Sequence, residues 1–125
     1  MRYLSPSLAI GALRRGMPIE QFLGPVKRGD DVGIRWVSIE PVGDSFEVHL
    51  HDRADAGNGE RTDIAEFPPL DPEQETESIL LGAADGEVEA LELAESLSGA
   101  IRARWVTFGV AAEDYADYAR FGWPA

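Results

Sequence analysis

Cysteine is absent from this chain and histidine occurs only twice. The first absence excludes a disulfide framework, thiolate zinc sites, iron–sulfur clusters and cysteine nucleophiles, and the second leaves few ligands for metal chemistry. Long apolar runs are also missing. No window approaches the roughly 18 apolar residues of a membrane span, and the start, Met1-Arg2-Tyr3-Leu4-Ser5-Pro6, lacks the stretch a signal peptide needs. A cytoplasmic protein is the expectation. Repeats, interdomain linkers and low-complexity tracts are absent, and glycine and proline punctuate instead of clustering. Basic residues are scarce: 11 Lys and Arg face 23 Asp and Glu, a formal net charge of -12. That balance argues against a nucleic-acid backbone or an anionic membrane as partner.

What is present suits one ordinary domain. The 125 residues, 44% of them hydrophobic, are enough to bury about two-thirds of the unfolded chain's surface. The charge is unevenly placed. Residues 1–62 carry 8 basic and 9 acidic side chains, whereas residues 63–125 carry 3 and 14. Between Arg61 and Arg102 no basic residue occurs, yet Asp63, Glu66, Asp71, Glu73, Glu75, Glu77, Asp85, Glu87, Glu89, Glu92 and Glu95 all lie there. These like charges repel one another. They serve either solubility or the recognition of a basic partner.

Helix and strand periods alternate along the chain. Ser5 as N-cap, Pro6 at the first helical position, an apolar face of Leu8, Ala12 and Leu13, and a stop at Gly16 predict an opening helix. Pro18 through Leu23, ended by Gly24-Pro25, reads as a second short helical turn. From Gly33 the period becomes two, with Ile34, Trp36 and Ser38 opposite Arg35, Val37 and Ile39. Pro41 and Gly43-Asp44 then turn the chain into a second alternating run. There Phe46, Val48 and Leu50 oppose Glu47, His49 and His51, so the two strands read as an antiparallel hairpin. A polar loop over 52–61, with Gly57-Asn58-Gly59 as a turn, leads to an expected strand over 62–67 and another within 75–84. Asp85 caps an expected helix to Ser98, with Ala90, Ala94, Leu97 and Ile101 on its apolar face and Gly99 as its stop. Residues 104–108 form an expected aromatic strand, and 112–120 a last helix docking Tyr115, Tyr118 and Ala119. The sum is a single α+β domain over 1–125, a mostly antiparallel sheet of four to five strands packed with N- and C-terminal helices.

Few constellations carry chemistry. His49 and His51 project from one face of a strand and could share a divalent metal, but a two-histidine site lacks the third ligand typical of catalytic zinc, and a solvent-facing pair is the expectation. The chain has Gly43 ahead of this His-x-His, as in the first metal motif of cupin barrels, but no later histidine to complete a second motif. No serine sits in a nucleophile elbow or a Ser-x-x-Lys pattern, and the glycines lack phosphate-loop spacing. Trp36, Trp105, Phe108, Tyr115, Tyr118 and Phe121 read as core residues, since interleaved Lys and Arg are missing. Trp123 either pins the tail to the sheet or joins an exposed patch. No metal or other cofactor is expected.

Several segments in order resemble small immunity proteins of bacterial polymorphic toxin and contact-dependent inhibition systems. They are Ala12-Leu13-Arg14-Arg15-Gly16, Ile19-Glu20-Gln21-Phe22-Leu23-Gly24, the runs 34–39, 46–51 and 63–68, and Arg104-Trp105-Val106 leading to Glu113-Asp114-Tyr115. The resemblance implies a non-enzymatic cytoplasmic inhibitor that binds one cognate toxin and occludes its active site. Charge agrees independently, because toxins that grip phosphate, nucleases among them, are basic, and an acidic surface steers toward them. The expected partner-binding residues are Asp71, Glu73, Glu75 and Glu77, on a loop stiffened by Pro69 and Pro72, with Glu89 and Glu92 on the polar face of a helix. A monomer or weak dimer is expected. The alternatives are a small enzyme using paired carboxylates, an oligomeric adaptor subunit, and, within the inhibitor class, a mimic of DNA.

Overall fold

A computed structural model describes residues 2–57 and 60–123. The sequence starts with helix α1 (Pro6–Arg14), where the Ser5 hydroxyl accepts the Leu8 N–H as expected of an N-cap. Its buried stripe is Ala9, Ala12 and Leu13, while Leu8 is exposed, a correction to the expected face. Strands β1 (Ile19–Arg28), β2 (Asp31–Val42) and β3 (Ser45–Ala54) follow as a meander, and β4 (Ile79–Ala84) and β5 (Val106–Thr107) complete the sheet. The order is β4-β3-β2-β1-β5, antiparallel throughout.

The expected β2–β3 hairpin forms with the Gly43-Asp44 turn, Val42 pairing Ser45. Gly43 has φ +59 at the first turn position, where a tight hairpin turn favours glycine. The segment read as a helical turn is instead β1. Its ten residues pair with β2 from Ile19 opposite Ile39 to Arg28 opposite Asp31, and this pairing overrides the local helix-start signal of Pro18. Gly24 and Pro25 do not end the element. The pairing skips Leu23 in a bulge, and Pro25 lies beyond the two residues that β5 pairs, where β1 is an edge that tolerates a missing N–H. Gly24 is required twice over, by its φ of +102 and because a Cβ there would stand 2.7 Å from the Trp123 ring.

Alternation divides the sheet into two buried faces. One carries Ile19, Val37, Ile39 and Val48 and packs against α1 and helix α2 (Glu87–Ser98) through Leu13, Ala90, Leu91 and Ala94, with Trp105 closing the layer. The other carries Phe22, Ile34, Trp36 and Val106 and packs against helix α3 (Ala111–Phe121) through Ala111 and Tyr115. Helices therefore cover both faces of one antiparallel sheet. The expected strand over 62–67 is a short 3-10 turn at Ile64–Glu66, because Ile64 and Phe67, three apart, both enter the core beside Tyr115. Strand pairing there amounts to a single bridge from Arg53 to Pro69.

Several boundaries move. The polar loop starts after Ala54, β4 begins only at Ile79, and the aromatic strand shrinks to two residues behind a 3-10 turn over Arg102–Arg104. Gly86, with no side-chain bond, caps α2 in place of Asp85, while Gly99 ends it at φ +78 as expected. Leu97 and Ile101 are exposed and do not join the buried face of α2. Phe108, Phe121 and Ala119 are likewise exposed, and Trp123 makes an edge-on contact with Phe22 while remaining 39% exposed. The Asn58-Gly59 part of the expected turn lies outside the described residues.

Candidate functional site

The six carboxylates singled out in the sequence divide into two groups. Glu73, Glu75 and Glu77 are exposed on the loop over 70–78, which enters β4 from the sheet face carrying Trp36 and His51. Glu89 and Glu92 are exposed on α2, which covers the opposite face. Strand β4 runs between the two groups. They therefore flank one sheet edge and do not merge into a single patch. Among the described residues none of these five carboxylates forms a salt bridge. Asp71 differs: its Oδ1 lies 3.3 Å from an Arg28 guanidinium nitrogen and accepts the Glu73 N–H at 2.9 Å.

Hydrogen bonds hold the acidic loop in shape. The Gln74 side chain donates to the Thr76 carbonyl, the Thr76 hydroxyl to the Ser78 carbonyl, and the buried Arg53 Nη1 to the Glu77 carbonyl at 2.8 Å. Glu73, Glu75 and Glu77 are thus displayed on an ordered scaffold, which lowers the entropy lost on binding.

The same face holds a cleft of about 330 Å³ between β1–β3, the 3-10 turn at Ile64–Glu66 and the start of α3. Here the paired strands bring Trp36 opposite His51, Ser38 opposite His49 and Glu40 opposite Glu47. The two histidines are half-buried and held by neighbouring side chains instead of standing free on a solvent face, which corrects the expectation for them. His51 lies flat on Trp36, ring centroids 4.7 Å apart, and burial pushes its pKa down to about 4. His49 bonds Ser78 and Glu47, each at 2.9 Å. The Ser38 hydroxyl donates to Glu40 Oε2 at 2.7 Å and lies 2.9 Å from His51 Nε2. One hydroxyl carries one proton, so with that proton on the carboxylate Nε2 must be the donor to Ser38. Proton donation therefore runs from histidine to serine to glutamate, opposite to the order that activates a serine nucleophile. Among the described residues no cluster of three or more His, Asp or Glu is placed to hold a metal ion.

Glu20 lies at the cleft floor and was singled out by no motif. Its Oε2 accepts the Ala111 N–H at 3.0 Å, which caps α3 from the strand beneath it, since Val110 supplies no side-chain cap. Burial raises its pKa, opposed by the backbone donors of Ala111 and Gly109. Strand alternation would have placed Glu20 beside Phe22 had 19–28 been read as a strand. Ser38 and Glu40 were findable by counting back from the Gly43-Asp44 turn.

Strand β4, which follows the acidic loop, ends the sheet, and among the described residues no strand lies beyond it. Its six residues, Ile79–Ala84, carry no charge, and Ile79 and Leu80 are 44% and 56% exposed. No helix of the described residues is long and apolar enough to cross a membrane. Comparison with known protein families, curated proteins and solved structures finds no match.

Proposed function

We propose that this protein is an acidic, non-enzymatic binding inhibitor of a basic protein, an immunity protein that neutralises a cognate toxin in the cytoplasm. The observation that carries the reading is the display of Glu73, Glu75, Glu77, Glu89 and Glu92, exposed and without salt bridges, on both sides of one sheet edge. Solubility alone calls for interspersed charge of both signs. Charge of a single sign, held on an ordered loop on one side of the edge and on a helix on the other, instead speeds encounter with a basic surface and excludes acidic competitors. The resemblance of segments such as Ala12–Gly16 and Phe46–His51 to toxin immunity proteins supports the biological role, and a nuclease, which must be basic to hold phosphate, is the partner class that fits the charge.

Capture from the native host with the tagged chain, at low and moderate salt and with the product of the neighbouring reading frame included, tests this. One basic protein retained in both salts, whose toxic activity falls on addition of the chain, is the expected outcome. If no basic protein is retained in either salt, the inhibitor reading is wrong.

A further inference from the structure

The two edges of the sheet are built differently. At one end β5 is only two residues long, and where it stops the exposed edge of β1 carries Pro25, Lys27 and Arg28. Short strands, proline and positive charge are the devices that keep a free edge from pairing with other chains. At the other end β4 offers six residues with no proline and no charge. Its inner side pairs with β3 from Leu50–Ile79 to Phe46–Ala84, skipping Leu81 in a bulge as β1 skips Leu23, so the edges differ in proline, charge and length and not in bulging; among the described residues its outer backbone groups face no strand. Leu80 pairs His49 and Ile79 pairs Leu50, so the two exposed apolar side chains stand on opposite faces of the edge, as a strand open to a further partner would present them.

From this asymmetry we propose that β4 is a docking edge, extended by one strand from an apolar segment of the basic partner whose ends carry Lys or Arg. The inference rests on the reading of the chain as a binder of a basic protein. The charges at the ends of β4 select the occupant. Glu77 precedes the strand and Asp85 follows it, while Glu89 stands on the helix stripe of Leu93, the residue nearest Gly82 of β4. A second copy paired antiparallel would bring the acidic start of one β4 beside the acidic end of the other, on chains that each carry a net charge of -12. Like charges placed opposite one another destabilise strand pairing. An incoming strand with basic ends meets attraction at both. The backbone ladder then supplies affinity, contacts on Leu80 and Ile79 supply register, and the carboxylates supply selectivity.

The test uses the isotope-labelled full chain and a synthetic ten-residue peptide of alternating Val and Thr with two Arg at each end. A counterpart with Glu in place of Arg is the control. Saturable amide shifts confined to residues 79–84 and their β3 partners are expected with the Arg peptide, none with the Glu peptide. Leu80→Lys, a change at an exposed position, should weaken binding about tenfold or more while leaving the melting temperature within a few degrees. No saturable shift at millimolar peptide, equal response to both peptides, or shifts centred elsewhere would overturn the proposal. A dimer in sedimentation that Leu80→Lys dissolves would overturn it in favour of self-pairing. Failure here is separable from failure of the inhibitor reading. If a basic protein is captured but amide exchange along β4 is not slowed in the complex, the edge proposal falls alone. If the Arg peptide binds β4 but no basic protein is captured, the inhibitor reading falls and with it the toxin as occupant, while β4 stands as an edge that accepts strands with basic ends.

Discussion

His51 is the residue whose protonation the fold most opposes. Stacked on Trp36 and donating to Ser38, it has a pKa depressed to about 4 from 6.5, chiefly through burial and secondarily through the Arg53 charge. Because the unfolded chain binds this proton more tightly, stability is fully present above 6.5 and is lost as pH falls toward 4. The loss amounts to about 3 kcal/mol. Phenylalanine keeps the stack and cannot titrate, so His51→Phe should show a shallower fall in melting temperature than the parent between pH 6.5 and 4; parallel curves would show that His51 does not titrate in this way. Gly24 is a second point of constraint. Gly24→Ala adds a Cβ within 2.7 Å of the Trp123 ring at φ +102 and should cost about 2 kcal/mol in denaturant unfolding. Neither constraint was visible in sequence, since both depend on a residue distant along the chain.

At the scale of elements, the acidic loop and α2 should act on association and not on folding. Glu73 and Glu75 are exposed and without salt bridges, so reversing these two to Lys leaves no buried partner behind, whereas Glu77 acts on the charge of buried Arg53 and is kept. Stopped-flow mixing with the basic partner should show an association rate lowered about tenfold or more at low salt and a flatter dependence on ionic strength. An unchanged rate would move the interface off this edge. The same elements show where periodicity informs and where it fails. The alternation of 34–39 and 46–51 specified the hairpin, because one turn and one register satisfy both faces. Residues 19–28 misled because Pro18 and Gly24-Pro25 are helix punctuation in isolation, while the strand is stabilised by pairing with residues 31–39.

Over the whole molecule, the N-terminal segment is clasped to α3 by one polar network. Fully buried Asp114 Oδ1 accepts from Arg2 Nη1 and from the Tyr3 hydroxyl, each at 2.6 Å, and Arg104 donates to Tyr3 at 2.8 Å. Arg2 also reaches Asp117, at 2.7 Å, and these carboxylates hold its guanidinium well above its ordinary pKa. Asp114→Asn removes the charge and leaves the cations facing a neutral amide. It should destabilise by about 3 kcal/mol, lowering the melting temperature by roughly 10 °C. A calorimetric shift of only a degree or two would show that the clasp contributes little.

The sequence alone determined the fold class, the central hairpin, α1 and α2, and the acidic half, because each follows from local period, capping or composition. Candidate carboxylates could be named from charge alone, yet charge carries no position. Tertiary structure decided that Glu73, Glu75 and Glu77 and the pair on α2 flank one edge, and that Ser38, Glu40 and His51 meet in a cleft. It also decided that Glu20 caps a helix 91 residues away. Such juxtapositions depend on strand order and on which face each helix covers, and these are set by burial summed over the whole chain, which no short window of residues contains.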